Sequence, residues 1–151
     1  MKAVRYLFLL LSLLTIVPTM IFAQAAHSQI IAVINVASWC GVCKANSPRV
    51  KAEALPKYEA SKVLFVVNDL SNDITRKRSQ AKLAQQGIVQ TLEATTDAQN
   101  TAGIIILVDA LNKQLLGRAP IANSGAQIKK WLDETLAATR SASTKAYHHV
   151  P

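Results

Sequence analysis

Residues 30–44 read Ile-Ile-Ala-Val-Ile-Asn-Val-Ala-Ser-Trp-Cys-Gly-Val-Cys-Lys. The first seven, Ile30–Val36, form a nearly continuous apolar run rich in β-branched residues. Such a run predicts a strand buried on both faces. Cys40 and Cys43 follow at once, and Cys40–Leu55 predicts a helix that stops before Pro56 and bends at Pro48. A bare Cys-x-x-Cys is an ambiguous signal: half a zinc site, a redox pair or chance. Its position between a buried strand and a helix start narrows the meaning. There the first thiol faces unpaired backbone N–H groups and the positive end of the helix dipole, and both favour thiolate over thiol. The thiolate is the nucleophile of disulfide exchange. Two intervening residues bring the second sulfur within about one helical turn of the first, so the pair can close.

Outward from this segment, Val63–Val67 predicts a second buried strand, followed by a polar turn over 68–73. A helix over 74–86 follows, with Asp73 as N-cap and Gly87 at the position after its end. Residues 88–101 show no clear period. Ile104–Val108 predicts a third central strand, and 114–116 returns as an edge strand of a hairpin. Ser124 with Gln127 forms a capping box, and Ile128, Trp131, Leu132, Thr135 and Leu136 fall on one face of the last helix. Strands joined by a helical crossover are expected to be parallel, and the last hairpin antiparallel. The expected fold class is α/β: a central mixed sheet of about four strands flanked by helices.

The N-terminus is expected to lie outside that fold. Lys2 and Arg5 precede an apolar run from Tyr6 to Val17, then Pro18 and a small-residue site at Ala23-Gln24-Ala25. This order predicts a secretory signal peptide over 1–25, with cleavage after Ala23 as the alternative site. An uncleaved membrane anchor is the competing interpretation. The domain is expected over 26–140 and a flexible C-terminal tail over 141–151. Export to the periplasm or the extracellular space would place the cysteines where disulfides persist. The chain has two cysteines, and the short loop between them makes structural stapling a minor role. Of 17 basic residues, 15 remain without Lys2 and Arg5, against 9 acidic ones, a formal +6. That charge is ordinary solubility or a preference for acidic partners. No nucleic-acid motif accompanies it. His27, His148 and His149 lie near the expected ends and are assigned no role.

Trp39-Cys40-Gly41-Val42-Cys43-Lys44, with Pro48 five residues after the second cysteine, resembles the thioredoxin active-site segment W-C-G-P-C-K-x-x-x-P. The Ala37-Ser38 lead-in is similar to that of exported thioredoxin-like proteins. The resemblance implies a thioredoxin-like fold and thiol–disulfide oxidoreductase activity without a cofactor. It implies that Cys40 attacks, Cys43 resolves, Trp39 shapes the contact surface, and Gly41 and Val42 tune the pair. Partners would be exported proteins bearing thiols or disulfides, and a redox partner protein. Three positions depart from the family. Val42 replaces proline. Ile34, with Asn35 beside it, stands where the family buries an aspartate. Ala102, between Thr101 and Gly103, stands where the family has a cis-proline, and a cis bond before Ala102 would cost about 2.5–4 kcal/mol, so a trans bond is expected. Thr101 and Ala102 are therefore expected to shape the substrate side of the site without that proline. Two other functions remain open: a metal-binding or copper-delivery protein using the same thiolates, and a non-catalytic binding module.

Overall fold

The structure is a computed structural model that describes residues 29–58, 62–95 and 100–147. The expected signal segment, both cleavage positions, His27, His148 and His149 lie outside the described residues. In chain order the elements are β1 (Ile30–Val36), α1 (Gly41–Glu53), a 3-10 turn (Leu55–Lys57), β2 (Val63–Asp69), α2 (Asp73–Gln85), α3 (Val89–Glu93), β3 (Ile104–Asp109), β4 (Leu115–Pro120) and α4 (Gly125–Tyr147). The strands form one sheet in the order β2-β1-β3-β4. β1 and β2 are parallel, Ile30 facing Val63 and Val36 facing Asp69. β3 is antiparallel to β1, with Asn35 facing Ile104, and β4 is antiparallel to β3.

Side-chain alternation on β1 builds the layers. Ile30, Ala32 and Ile34 point to one face, where Val50 of α1 and Ile128, Leu132 and Leu136 of α4 cover them. Ile31 and Val33 point to the other, against Leu83 of α2 and Ile88 and Leu92 around α3. Each such fully buried Ile or Leu contributes roughly 1.5–3 kcal/mol of hydrophobic stabilisation. The result is a three-layer α/β domain with a thioredoxin-like fold, a four-stranded mixed sheet flanked by helices.

Several sequence expectations need correction. β3 is not parallel to the strand before its crossover. β3 starts beside the end of β1, with Ile104 facing Asn35, and so runs against both β1 and β2. β2 is an edge strand, not a central one, and Val67 is exposed on it. It also runs through Asn68 and Asp69, because both stay in register with β1. The N-cap of α2 is Asn72, whose side chain accepts the N–H groups of Ile74 and Thr75 at 3.0 Å each. β4 extends to Pro120, beyond the expected 114–116. α4 continues through Tyr147, past Arg140 where a tail was expected, since neither glycine nor proline interrupts that stretch. The Ser124–Gln127 box is formed, with Ser124 N–H donating to Gln127 Oε1 at 2.8 Å. Among the described residues no helix is long and apolar enough to cross a membrane.

Candidate functional site

The two cysteines meet where β1 hands the chain to α1. A turn links them to the strand: Cys40 N–H donates to the Ala37 carbonyl at 3.1 Å. Ser38 N–H donates to Ser71 Oγ at 2.8 Å, which ties this turn to the end of β2. Cys40 is the N-cap of α1, in extended backbone geometry. Its sulfur takes the role usually played by a serine or aspartate oxygen. The Cys43 N–H donates to Cys40 Sγ at 3.1 Å. The cysteines are joined as a disulfide, with Cα atoms 5.2 Å apart. The first turn of α1 contains no acidic residue, so no side chain there competes for the positive helix end.

Accessibility separates the two sulfurs modestly. Cys40 is 9% exposed and Cys43 3%. Both pack with Ala37, Leu70 and Ala102 in a small apolar cluster apart from the two main cores. Trp39 is 62% exposed and Val42 49%, so neither is a core residue. They form an apolar rim beside Cys40, with Gly41 open to solvent between Cys40 and Val42. A would-be Cβ on Gly41 meets nothing within 4 Å.

The loop before β3 lies over the pair. The residue against the sulfurs is Gly103, which the sequence reading used only to bracket Ala102. A Cβ placed on it would lie 3.6 Å from Cys40 Sγ and 3.9 Å from Cys43 Sγ, and its φ is +89°. A glycine directly ahead of an apolar strand is the signal that could have marked it. The Thr101–Ala102 bond is trans, as expected. The Thr101 side faces solvent while its carbonyl turns inward and accepts Asn35 Nδ2 at 3.0 Å. Among the described residues, the N–H and C=O of Ala102 have no hydrogen-bond partner.

A buried amide pair lies at the ends of β1 and β2, on the face of the sheet that Ile31 and Val33 share, and the Asn35 main-chain carbonyl lies 4.0 Å from Cys43 Sγ. Asn35 and Asn68 are 0% and 2% exposed, and Asn68 Nδ2 donates to Asn35 Oδ1 at 3.0 Å. Asn68, placed by the sequence in a turn, was missed as part of the site. Ile34 points to the α1–α4 core and carries no carboxyl group; the carboxylate that shares the space beside Cys43 is that of Asp69 in β2. A cavity of about 340 Å³ opens beside Cys43, lined among others by Ser38, Lys44, Pro48, Val67 and Asp69. The hydrogen bond from the Ser71 hydroxyl holds the Asp69 carboxyl below its usual range. The Ser71 N–H and the Thr75 hydroxyl add to this, against the opposing effect of partial desolvation. Among the described residues no group of three or more His, Cys, Asp or Glu side chains is gathered as a metal site would need.

No family model matches the chain, and no curated protein matches it. Among solved structures it is similar to Trxlp from Edwardsiella tarda EIB202, at 22% identity and TM-score 0.38, over 74% of this chain and 89% of that one. It is also similar to Fasciola hepatica thioredoxin, at 19% identity and TM-score 0.40, over 76% of this chain and 84% of that one. At these identities no residue's role transfers from either protein.

Proposed function

We propose that the chain is an exported thiol–disulfide oxidoreductase that works through Cys40 and Cys43 and a mixed-disulfide intermediate. The observation that carries this proposal is the Cys43 N–H donated to Cys40 Sγ at the N-cap of α1. That donor and the helix end stabilise negative charge on Cys40, the condition for attack at neutral pH. Cys43 lies one turn further in, is more buried, and so has the higher thiol pKa.

In the reducing direction the Cys40 thiolate attacks a substrate disulfide. One Cys40–substrate S–S bond forms, and the first substrate thiolate leaves. Cys43 then loses its proton to solvent and attacks Cys40 Sγ. The Cys40–Cys43 disulfide forms and the second substrate sulfur leaves as a thiolate. The substrate gains two electrons and the pair loses two; the oxidising direction is the same path reversed. Trp39 and Val42 offer an apolar landing surface beside Cys40. The unpaired main chain of Ala102 offers a donor and an acceptor to an extended substrate segment. Partners would be exported proteins carrying thiols or disulfides and a protein that resets the pair.

The test is covalent trapping. Cys43→Ser is expected to accumulate mixed disulfides through Cys40, recovered under non-reducing conditions. Cys40→Ser is expected to trap little, because the remaining thiol is shielded and protonated. Equal trapping by both variants would overturn the assigned roles. Trapping by neither, with copper bound stoichiometrically by the reduced parent, would replace the proposal with metal delivery.

A further inference from the structure

Asn35 and Asn68 stand side by side in register at the ends of β1 and β2. Burying an amide is unfavourable unless its polar atoms find partners. Here the partners form one connected set. Asn68 Nδ2 donates to Asn35 Oδ1, and Asn35 Nδ2 donates to the Thr101 carbonyl, each at 3.0 Å. The Asn35 carbonyl accepts the Gly103 N–H at 2.8 Å and lies 4.0 Å from Cys43 Sγ. Gly103 is held from its other side, where its carbonyl accepts the Ile121 N–H at 2.9 Å. Packing alone does not call for this set, since two apolar residues of similar shape can replace a buried polar pair at little cost. What the amides add is direction: they fix where the loop against the sulfurs sits.

We propose that Asn35 and Asn68 are the positioning pair of the cysteine centre. Their amides clamp Thr101–Gly103 against the sulfurs, and the Asn35 carbonyl keeps reduced Cys43 as a thiol until Cys40 carries a substrate. The second half rests on the exchange chemistry proposed above. On reduction Cys43 gains an S–H, and the Asn35 carbonyl has a second lone pair facing it. A hydrogen bond made by the neutral thiol favours that form. Cys40 instead receives an N–H, which favours the thiolate. The charged groups around Cys43 are Lys44 and Lys51 of α1 and Asp69 of β2, which share its cavity. The amide pair adds no titration of its own, whereas a carboxyl at position 35 would.

The experiment uses the protein first reduced with a dithiol and then freed of reductant, and an aromatic disulfide probe, 5,5′-dithiobis(2-nitrobenzoate). Release of its first and second thiolates reports attack by Cys40 and resolution by Cys43. The parent's resolution rate is expected to rise with pH in a single step. Asn35→Asp is expected to add a second inflection to resolution while leaving the shape of the attack profile unchanged. Asn68→Ala is expected to keep the single step, slow resolution, and speed hydrogen exchange at the Gly103 N–H of the disulfide form by roughly five- to tenfold. If Asn35→Asp does not fold, Asn68→Asp sets a carboxyl against Asn35 Oδ1 and is expected to give the same added inflection. A resolution profile superimposable on the parent's in the folded Asp variant would overturn the thiol-holding role. Unchanged Gly103 exchange in Asn68→Ala would overturn the clamp. Absence of any thiolate release by the parent would sink the exchange proposal and the thiol-holding role with it. Exchange at Gly103 needs no redox chemistry and decides the clamp in every case.

Discussion

Gly103 carries a φ of +89°, and its Cα side faces both sulfurs. An L-residue in that region is strained by roughly 1–2 kcal/mol. Gly87, with φ +67°, has the same backbone requirement at the end of α2, but a Cβ there meets only the far end of Lys113, at 3.7 Å. The two glycines therefore separate strain from chemistry. Gly103→Ala and Gly87→Ala are both expected to lose about 1–2 kcal/mol in denaturant unfolding. Only Gly103→Ala is expected to change the rate at which a small thiol reduces the Cys40–Cys43 disulfide, because only its methyl group covers the sulfurs. Equal reduction rates in the two variants would remove Gly103 from the site. Trp39 makes a related point. Its place before Cys40 is plain in the chain, but only the packed structure shows that it is 62% exposed and not a core residue.

At the scale of elements, α1 is unusual in its start. α2 opens with Asn72 and carries Asp73 in its first turn, and α4 opens with the Ser124–Gln127 box. α1 opens with a cysteine sulfur and carries no acidic residue there. Its unpaired N–H groups are thus kept for Cys40. A carboxylate placed in that turn would compete for the same positive end and repel the thiolate. Gly41→Asp is expected to raise the Cys40 thiol pKa, since a nearby like charge disfavours the ionised form. The pH profile of Cys40 alkylation in the reduced protein would then move to higher pH, and alkylation near neutrality would slow. Gly41 has open space around it, so the substitution is expected to leave the fold intact. An unmoved profile would mean that the helix start does not set the reactivity of Cys40.

Across the described residues, two large cores sandwich the sheet, and the cysteines sit in a third, small cluster just beyond the ends of β1 and β2. The disulfide closes a loop of sequence separation 3, too short to restrict the unfolded chain much. Reduction is therefore expected to leave secondary structure and cooperative unfolding in place, measured by circular dichroism with and without reductant. Leu132→Ala, at a fully buried position of α4, is expected to cost about 2–5 kcal/mol in either redox form. Collapse of the parent on reduction alone would show that the pair staples the fold.

The chain itself determined whatever depends on neighbours within a few residues. The β-branched run of β1, the cysteines at a helix start, the Ser124–Gln127 box and the buried stripe of α4 are all contacts between residues no more than about one or two turns apart. Each was legible because its period or spacing is written locally. The tertiary structure alone decided that β3 runs antiparallel to β1, that β2 lies at the edge, that Asn68 pairs with Asn35, and that Gly103 lies against the sulfurs. Asn35 is 33 residues from Asn68 and 66 from Thr101. A hydrogen bond across such a span leaves no local period in the sequence, so only the packed sheet brings its two ends together.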